Sequence, residues 1–311
     1  MMHAQTTRRS VRWPKNVPSS RQDRERRRLF WWFVSPWVIG GLVFTLFPLG
    51  LSLYLSFTQY NFSQPAIFVA FQNYELLLSN PVFLKSVFLT LVYTLAFVPI
   101  VFAFSLGLAF LLNGNSFIQR ITKLLVYSPT TITSVVVGWL WLWVLNPTYG
   151  ILNSLLKDLG LPQPNWLMNP VWLMVGIIIL SVWASTGSNM ILFLAAMQNV
   201  PTDVVEASHL DGANAWTRFI RIIFPILSPV SIFVLINTII ASLQIFTPIF
   251  IMTGGGPNYD SEFYVLDLYQ TAFQSFNFGE AAAMSWLMLI IFAALTIWFF
   301  SYLSHHSHEA N

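Results

Sequence analysis

The sequence contains no cysteine in 311 residues, so disulfides, thiolate metal sites and cysteine nucleophiles are all excluded. Charge is almost as scarce. Asp, Glu, Lys and Arg make up 9% of the chain, against about 25% in an ordinary soluble domain. Twelve acids and fifteen bases cannot wet a body of this size, which excludes an ordinary soluble enzyme. No Gly-Lys dipeptide occurs, so the chain lacks the phosphate-binding loop of P-loop ATPases. What it has instead is apolar bulk: 56% hydrophobic residues, 28 Phe and 13 Trp, with a mean hydropathy of +0.64. Disordered chains are poor in aromatics and rich in charge, so disorder is excluded as well.

The apolar residues fall in six stretches without Asp, Glu, Lys, Arg or His: about 29–57, 87–112, 124–144, 172–197, 222–251 and 281–303. About 20 such residues cross a bilayer core as a helix, and none shows the dyad alternation of a membrane barrel. The first is too long for the core of a cleaved signal peptide and reads as a retained helix. Pro36, Pro48, Pro99, Pro129, Pro225, Pro229 and Pro248 within the stretches predict kinks or helix starts. The third is the shortest, and Pro129-Thr130-Thr131 marks an irregular entry to it. The expectation is an all-α polytopic membrane protein. A basic tail (1–28) precedes a six-span domain (29–303), and a short tail (304–311) follows.

Nine of the fifteen basic residues lie in the first 28 positions. With that tail inside, Arg120, Lys123, Arg218 and Arg221 are also inside, and only Lys85 and Lys157 are outside. The positive-inside rule then predicts both termini in the cytoplasm. The tail reads as an orientation signal attracted to anionic lipid, not as a nucleic-acid binder.

Spans empty of ionisable groups argue against a proton-driven carrier or an intramembrane hydrolase, each of which needs such a group in the bundle. An ATPase-independent carrier using carbonyls and hydroxyls, or a channel-like protein, is the competing expectation. A membrane glycosyltransferase would want an Asp-x-Asp site, and there is none. His305, His306 and His308 form a solvated tail, and no metal site is expected.

One loop is rich in specific features: residues 199–224, between the fourth and fifth spans. Asp203, followed three residues later by Glu206, has the form of a capping box with Asp203 as the cap. Gly212 is placed as the left-handed stop of the helix so begun. A second short helix is expected over about 215–223, ending before Pro225. Glu206-Ala207, Gly212, Ile222 and Pro225 at this spacing resemble the EAA loop of permease subunits of binding-protein-dependent ABC importers. The run Glu206-Ala207-Ser208-His209-Leu210-Asp211-Gly212-Ala213 is similar to the carbohydrate-uptake branch, which includes maltose, glycerol-phosphate and multiple-sugar permeases. Ser208 stands where a second Ala is usual, and Phe224 where Leu is usual.

Further segments resemble the same branch in the same order: Ser35-Pro36, Phe71-Gln72-Asn73-Tyr74, Tyr127-Ser128-Pro129 and Tyr149-Gly150-Ile151-Leu152-Asn153. Leu194-Ala195-Ala196-Met197-Gln198, Thr253-Gly254-Gly255-Gly256-Pro257 and Ala272-Phe273 follow. The resemblance implies a permease in a bacterial or archaeal inner membrane, paired with a second homologous permease. It also implies two copies of an ABC ATPase, which bind ATP and Mg where this chain binds no cofactor, and an extracytoplasmic solute-binding protein. Glu206, Ala207, Ser208, Asp211, Gly212 and Pro225 would couple to the ATPase.

A neutral sugar or polyol needs hydroxyl, amide and aromatic partners rather than charges, which suits uncharged spans. Candidates are Trp183, Ser185, Thr186, Ser188 and Asn189 in the fourth span and Asn237, Thr238, Ser242 and Gln244 in the fifth. Asn237 and Gln244 are seven residues apart, hence on one helical face. The same amides could serve as interhelical glue. On the outside, Asp260, Glu262, Asp267 and Glu280 read as the solvated face of an interfacial helix over about 260–276. The competing reading makes this end, with Tyr149, Gly150, Gly255, Pro257 and Asp260, a docking surface for the binding protein.

Overall fold

The computed structural model describes residues 21–307. The tail before Arg21, with His3, and residues 308–311 lie outside the described residues. So do the side chains of His209, His305 and His306. The chain divides into two units between Tyr54 and Leu55.

The first unit holds α1 (Arg21–Gly41), a wide i−5 turn, Leu42–Leu46, and α2 (Phe47–Ser56) as far as Tyr54. In the second, a two-residue ribbon, β1 (Thr58–Gln59) with β2 (Ile67–Phe68), precedes α3 (Gln72–Ser79) and the long α4 (Pro81–Leu111). Next come α5 (Phe117–Tyr127), α6 (Ser134–Val144), α7 (Ile151–Asp158) and α8 (Pro170–Met197). The chain ends with α9 (Thr202–Leu210), α10 (Ala215–Arg218), α11 (Phe224–Leu243), α12 (Thr247–Met252), α13 (Tyr264–Phe273) and α14 (Phe278–Ser307).

Among the described residues, five helical runs are long and apolar enough to cross a membrane. The remaining expected span, the third in the chain, is not one helix. Residues 117–144 fold as α5, a 3₁₀ turn over Ser128–Thr131 and α6, bent by 104°. The cause is local. Pro129 cannot continue an α-ladder, and Thr133 is extended at φ −65°, ψ 143°. Thr130 and Thr131 donate to the carbonyls of Tyr127 and Ser128 at 2.7 and 2.8 Å, satisfying groups that the break would orphan.

The helix expected to stop before Pro225 instead runs on. A wide turn over Phe219–Ile223 joins α10 to α11, with the Phe224 amide bonded to the Phe219 carbonyl. Proline disrupts an i−4 ladder by its ring and its missing N–H. Here the ladder widens to i−5 just before a Phe-Pro pair, and the turn at Leu42–Leu46 precedes the Phe-Pro pair at 47–48 in the same way.

In the second unit α4 packs along α8 and α11, α12 against α6, and α13 against α14. One core cluster joins Leu106 and Ala109 of α4 to Met190 and Phe193 of α8 and Leu227 of α11. Another, toward the opposite end of α4, joins Tyr93, Phe97 and Val101 to Ile177, Ile249 and Leu266. Buried polar groups cross-link the helices. Ser105 Oγ donates to the Thr186 carbonyl at 3.2 Å, and Ser242 Oγ lies 3.0 Å from Thr94 Oγ1. Within hydrocarbon such bonds replace water as partner.

Candidate functional site

Three places carry the polar residues singled out in the sequence: the α9–α10 turn, a cavity inside the bundle, and the glycine-rich loop after α12.

The turn is built to hold a shape. Gly212 sits at φ +73°, a conformation that a Cβ disfavours. The Ala213 amide reaches back to the Ser208 carbonyl at 3.0 Å, the bond that closes a Schellman stop. Asn214 then caps α10, its side chain accepting from the Thr217 amide at 2.8 Å. Asp203 lies inside the first turn of α9, so it is not the cap that the sequence spacing predicts. Ser208 is buried and donates to the Val205 carbonyl at 2.6 Å, while Glu206, Ala207, Asp211 and Pro225 are exposed. Glu206 and Arg218 line a cavity of about 470 Å³ with Asn113, Met197 and Val200, where α4 and α8 end.

The second place is a cavity of about 350 Å³ formed where two broken helices meet. One break is the bend at 128–133. The other is at Gln244, where α11 stops at φ −100°, ψ 13° before α12 restarts with Pro248 in its first turn. The polar lining is Thr130, Ser134, Ser181, Ser185, Gln244 and Thr247, backed by the rings of Tyr93, Phe97 and Phe246. It contains no Asp, Glu, Lys, Arg or His. The arrangement offers hydroxyls, one amide and aromatic faces, the groups that neutral hydroxylated ligands require.

The sequence candidates scatter around this cavity. Gln244 lines it. Asn189 Nδ2 instead donates to Thr238 Oγ1 at 3.3 Å, and Ser242 meets Thr94, so both tie helices together. Ser188 donates to the Ser185 carbonyl at 3.0 Å, and Asn237 to the Phe233 carbonyl at 2.8 Å, each on its own helix. Trp183 packs edge-on against Trp141 and lines a separate apolar groove of about 690 Å³. Ser181 and Ser185, one turn apart on α8, carry a sequence signal, whereas Thr130, Ser134 and Thr247 come within reach only through the bends.

The third place lies at the other end of α4, whose 31 residues span about 46 Å at 1.5 Å per residue. There Lys85 Nζ bonds Asp260 Oδ1 at 2.6 Å and the Asn258 carbonyl at 2.8 Å. The four acids are not a solvated face. Glu262 is 1% exposed and Asp267 9%, because α3, α4, α13 and α14 close over the segment. Burial, helped by the Asp267 carboxyl, pushes Glu262 up to about 7. Burial also raises Asp267, against the Ser86 hydroxyl 3.0 Å from its Oδ2. Glu280 is half-buried and accepts from Asn277 Nδ2 at 2.6 Å. Gly255 is buried and Pro257 half-buried. After α6, Tyr149 stands 64% exposed and Gly150 caps α7.

Comparison with known proteins gives this geometry a family. The chain is 36% identical to the probable ABC transporter permease protein YesP of Bacillus subtilis, over 94% of this chain and 96% of that one. It is 30% identical to the sn-glycerol-3-phosphate transport system permease protein UgpA of Brucella abortus (89% and 95% covered). It is 26% identical to the probable starch degradation products transport system permease protein AmyD of Thermoanaerobacterium thermosulfurigenes (86% and 91%). Its fold matches a chain of a bacterial ABC transporter involved in the import of the acidic polysaccharide alginate, with a TM-score of 0.81 at 23% identity, covering 92% and 98%. Residues 66–308 match the model of the binding-protein-dependent transport system inner membrane component. On that match and the identity to YesP, the chain belongs to the binding-protein-dependent family of inner-membrane ABC transporter permeases.

Proposed function

We propose that this permease moves a neutral sugar or polyol inward, as one of two homologous permeases driven by a pair of ABC ATPases and fed by an external solute-binding protein. The observation that carries the substrate class is the cavity between the two helix breaks, polar but without one charged side chain. An anionic solute there would leave its charge unpaired, at a cost of several kcal/mol. The related proteins named above include transporters of sn-glycerol-3-phosphate and of an acidic polysaccharide, so family membership does not set the charge of the solute, and the uncharged lining carries that reading. α9 and its Gly212 stop form the element that an ATPase would push. A push reaches the spans only through a stiff helix, and α9 is braced at its end by the Ala213–Ser208 bond. The excess of Lys and Arg near this end supports the reading that α9 and both termini are cytoplasmic.

The test is uptake by the purified complex in proteoliposomes, with a panel of neutral oligosaccharides against their uronic-acid counterparts. The expected result is ATP-dependent uptake of neutral members, and preference for the acids would overturn the substrate class.

A further inference from the structure

The glycine-rich loop after α12 closes over a carboxyl group that has no room to stay charged. Among the described residues, Glu262 Oε1 is fully buried and has no hydrogen-bond partner. Its Oε2 packs against Gly255, where any Cβ would overlap it, and its polar contact among them is Gln270 Nε2 at 3.5 Å. The loop over it is tightly wound: Gly254, Gly255, Asn258 and Tyr259 all have positive φ, between 49° and 96°. Asn258 tolerates that conformation, but Tyr259 is held in it against its own preference.

We propose that Glu262 is a proton-operated latch on this loop: protonated, it stays buried and the loop stays closed; ionised, it reaches water only by displacing Gly255, and the loop opens. Asp267 on α13 acts on it directly; Tyr264 on α13 and Glu280 at the start of α14 act on Asp267, and Lys85 on α4 pairs with Asp260 in the same loop. Lys85 is held by Asp260, and Asp267 opposes a second charge. The sign follows from linkage. The closed loop holds Glu262 at about 7 against an ordinary 4.5, so it binds a proton that the open loop has released. The closed loop is therefore most stable below about pH 4.5, loses stability as pH rises to about 7, and changes no further above.

Hydrogen exchange of the full chain in lipid nanodiscs, corrected for intrinsic rates, tests this from pH 5 to 8. Opening of residues 253–262 rises roughly tenfold or more by pH 7.5, then levels, while residues 202–213 show no such rise. Glu262→Gln keeps the loop at its low-pH protection throughout, and Asp267→Asn lowers the midpoint by removing a like charge. An identical pH profile in wild type and Glu262→Gln overturns the latch. If Glu262→Gln loses protection across α4 and α8, the fold is lost and Asp267→Asn decides: an unmoved midpoint overturns it. On the reading that this end receives the solute-binding protein, capture strengthens over the same window. Exchange alone tests the latch, so an unchanged capture with a working latch would count only against docking there.

Discussion

The Ala213 amide donates to the Ser208 carbonyl across Gly212, at 3.0 Å, and thereby fixes the direction in which the chain leaves α9. No described atom lies within 4 Å of where a Gly212 Cβ would stand, so the φ of +73° is what requires the glycine. Gly212→Val therefore carries about 1–2 kcal/mol of backbone strain, while Gly212→Asn carries less because Asn tolerates this region. The expected outcome is a complex that retains its ATPase but loses binding-protein-stimulated ATP hydrolysis in the Val variant, and keeps most of it in the Asn variant. Equal stimulation in all three would show that the turn does not transmit force.

Glu206 presents an exposed carboxylate on α9, beside a cavity it shares with Arg218. Docked against a basic group of the ATPase, it becomes a partly buried charge pair, whose truncation costs roughly 2–5 kcal/mol. Glu206→Ala should weaken ATPase retention by at least tenfold on affinity purification, with the isolated permease as stable as wild type. Undiminished retention would remove Glu206 from the interface.

Much of the fold could be read without coordinates, since length and apolarity alone locate five spans, and Gly212 announces the end of α9. The bend in the third span could not. Pro129 signals irregularity, but whether two half-helices turn by 104° depends on what packs around them. The acidic segment misled for a related reason. Asp260 and Asp267 look like surface residues until Lys85 and Ser86, 175 and 181 positions earlier, fold back onto them. The seven-residue spacing of Asn237 and Gln244 implied one continuous face. α11 ends between them at Leu243, so Gln244 turns into the cavity while Asn237 bonds its own helix.

The topology has a direct check. Reporter fusions at Asn115, Asp211 and the C-terminus should report cytoplasmic, and those at Asn73, Asp158 and Asp260 external. A cytoplasmic signal at Asp260 would mean that residues 117–144 dip into the membrane and return, leaving five spans.

The cavity and the interhelical bonds make opposite predictions for similar substitutions. Gln244 and Ser185 line the cavity, so Gln244→Leu and Ser185→Ala each remove a hydrogen bond of about 0.5–1.5 kcal/mol to a bound solute. Apparent KM for uptake should rise about 2–10-fold, with the melting temperature unchanged. Asn189 and Ser242 are held by Thr238 and Thr94 on neighbouring helices. Asn189→Leu and Ser242→Val should therefore lower thermal stability by an amount near the 0.6 kcal/mol typical of such bonds in membranes, and leave KM alone. Uptake kinetics and unfolding of the same four purified variants separate the two classes. If Asn189→Leu raises KM while Gln244→Leu does not, the solute sits along the α8–α11 seam, and the cavity between the helix breaks is structural.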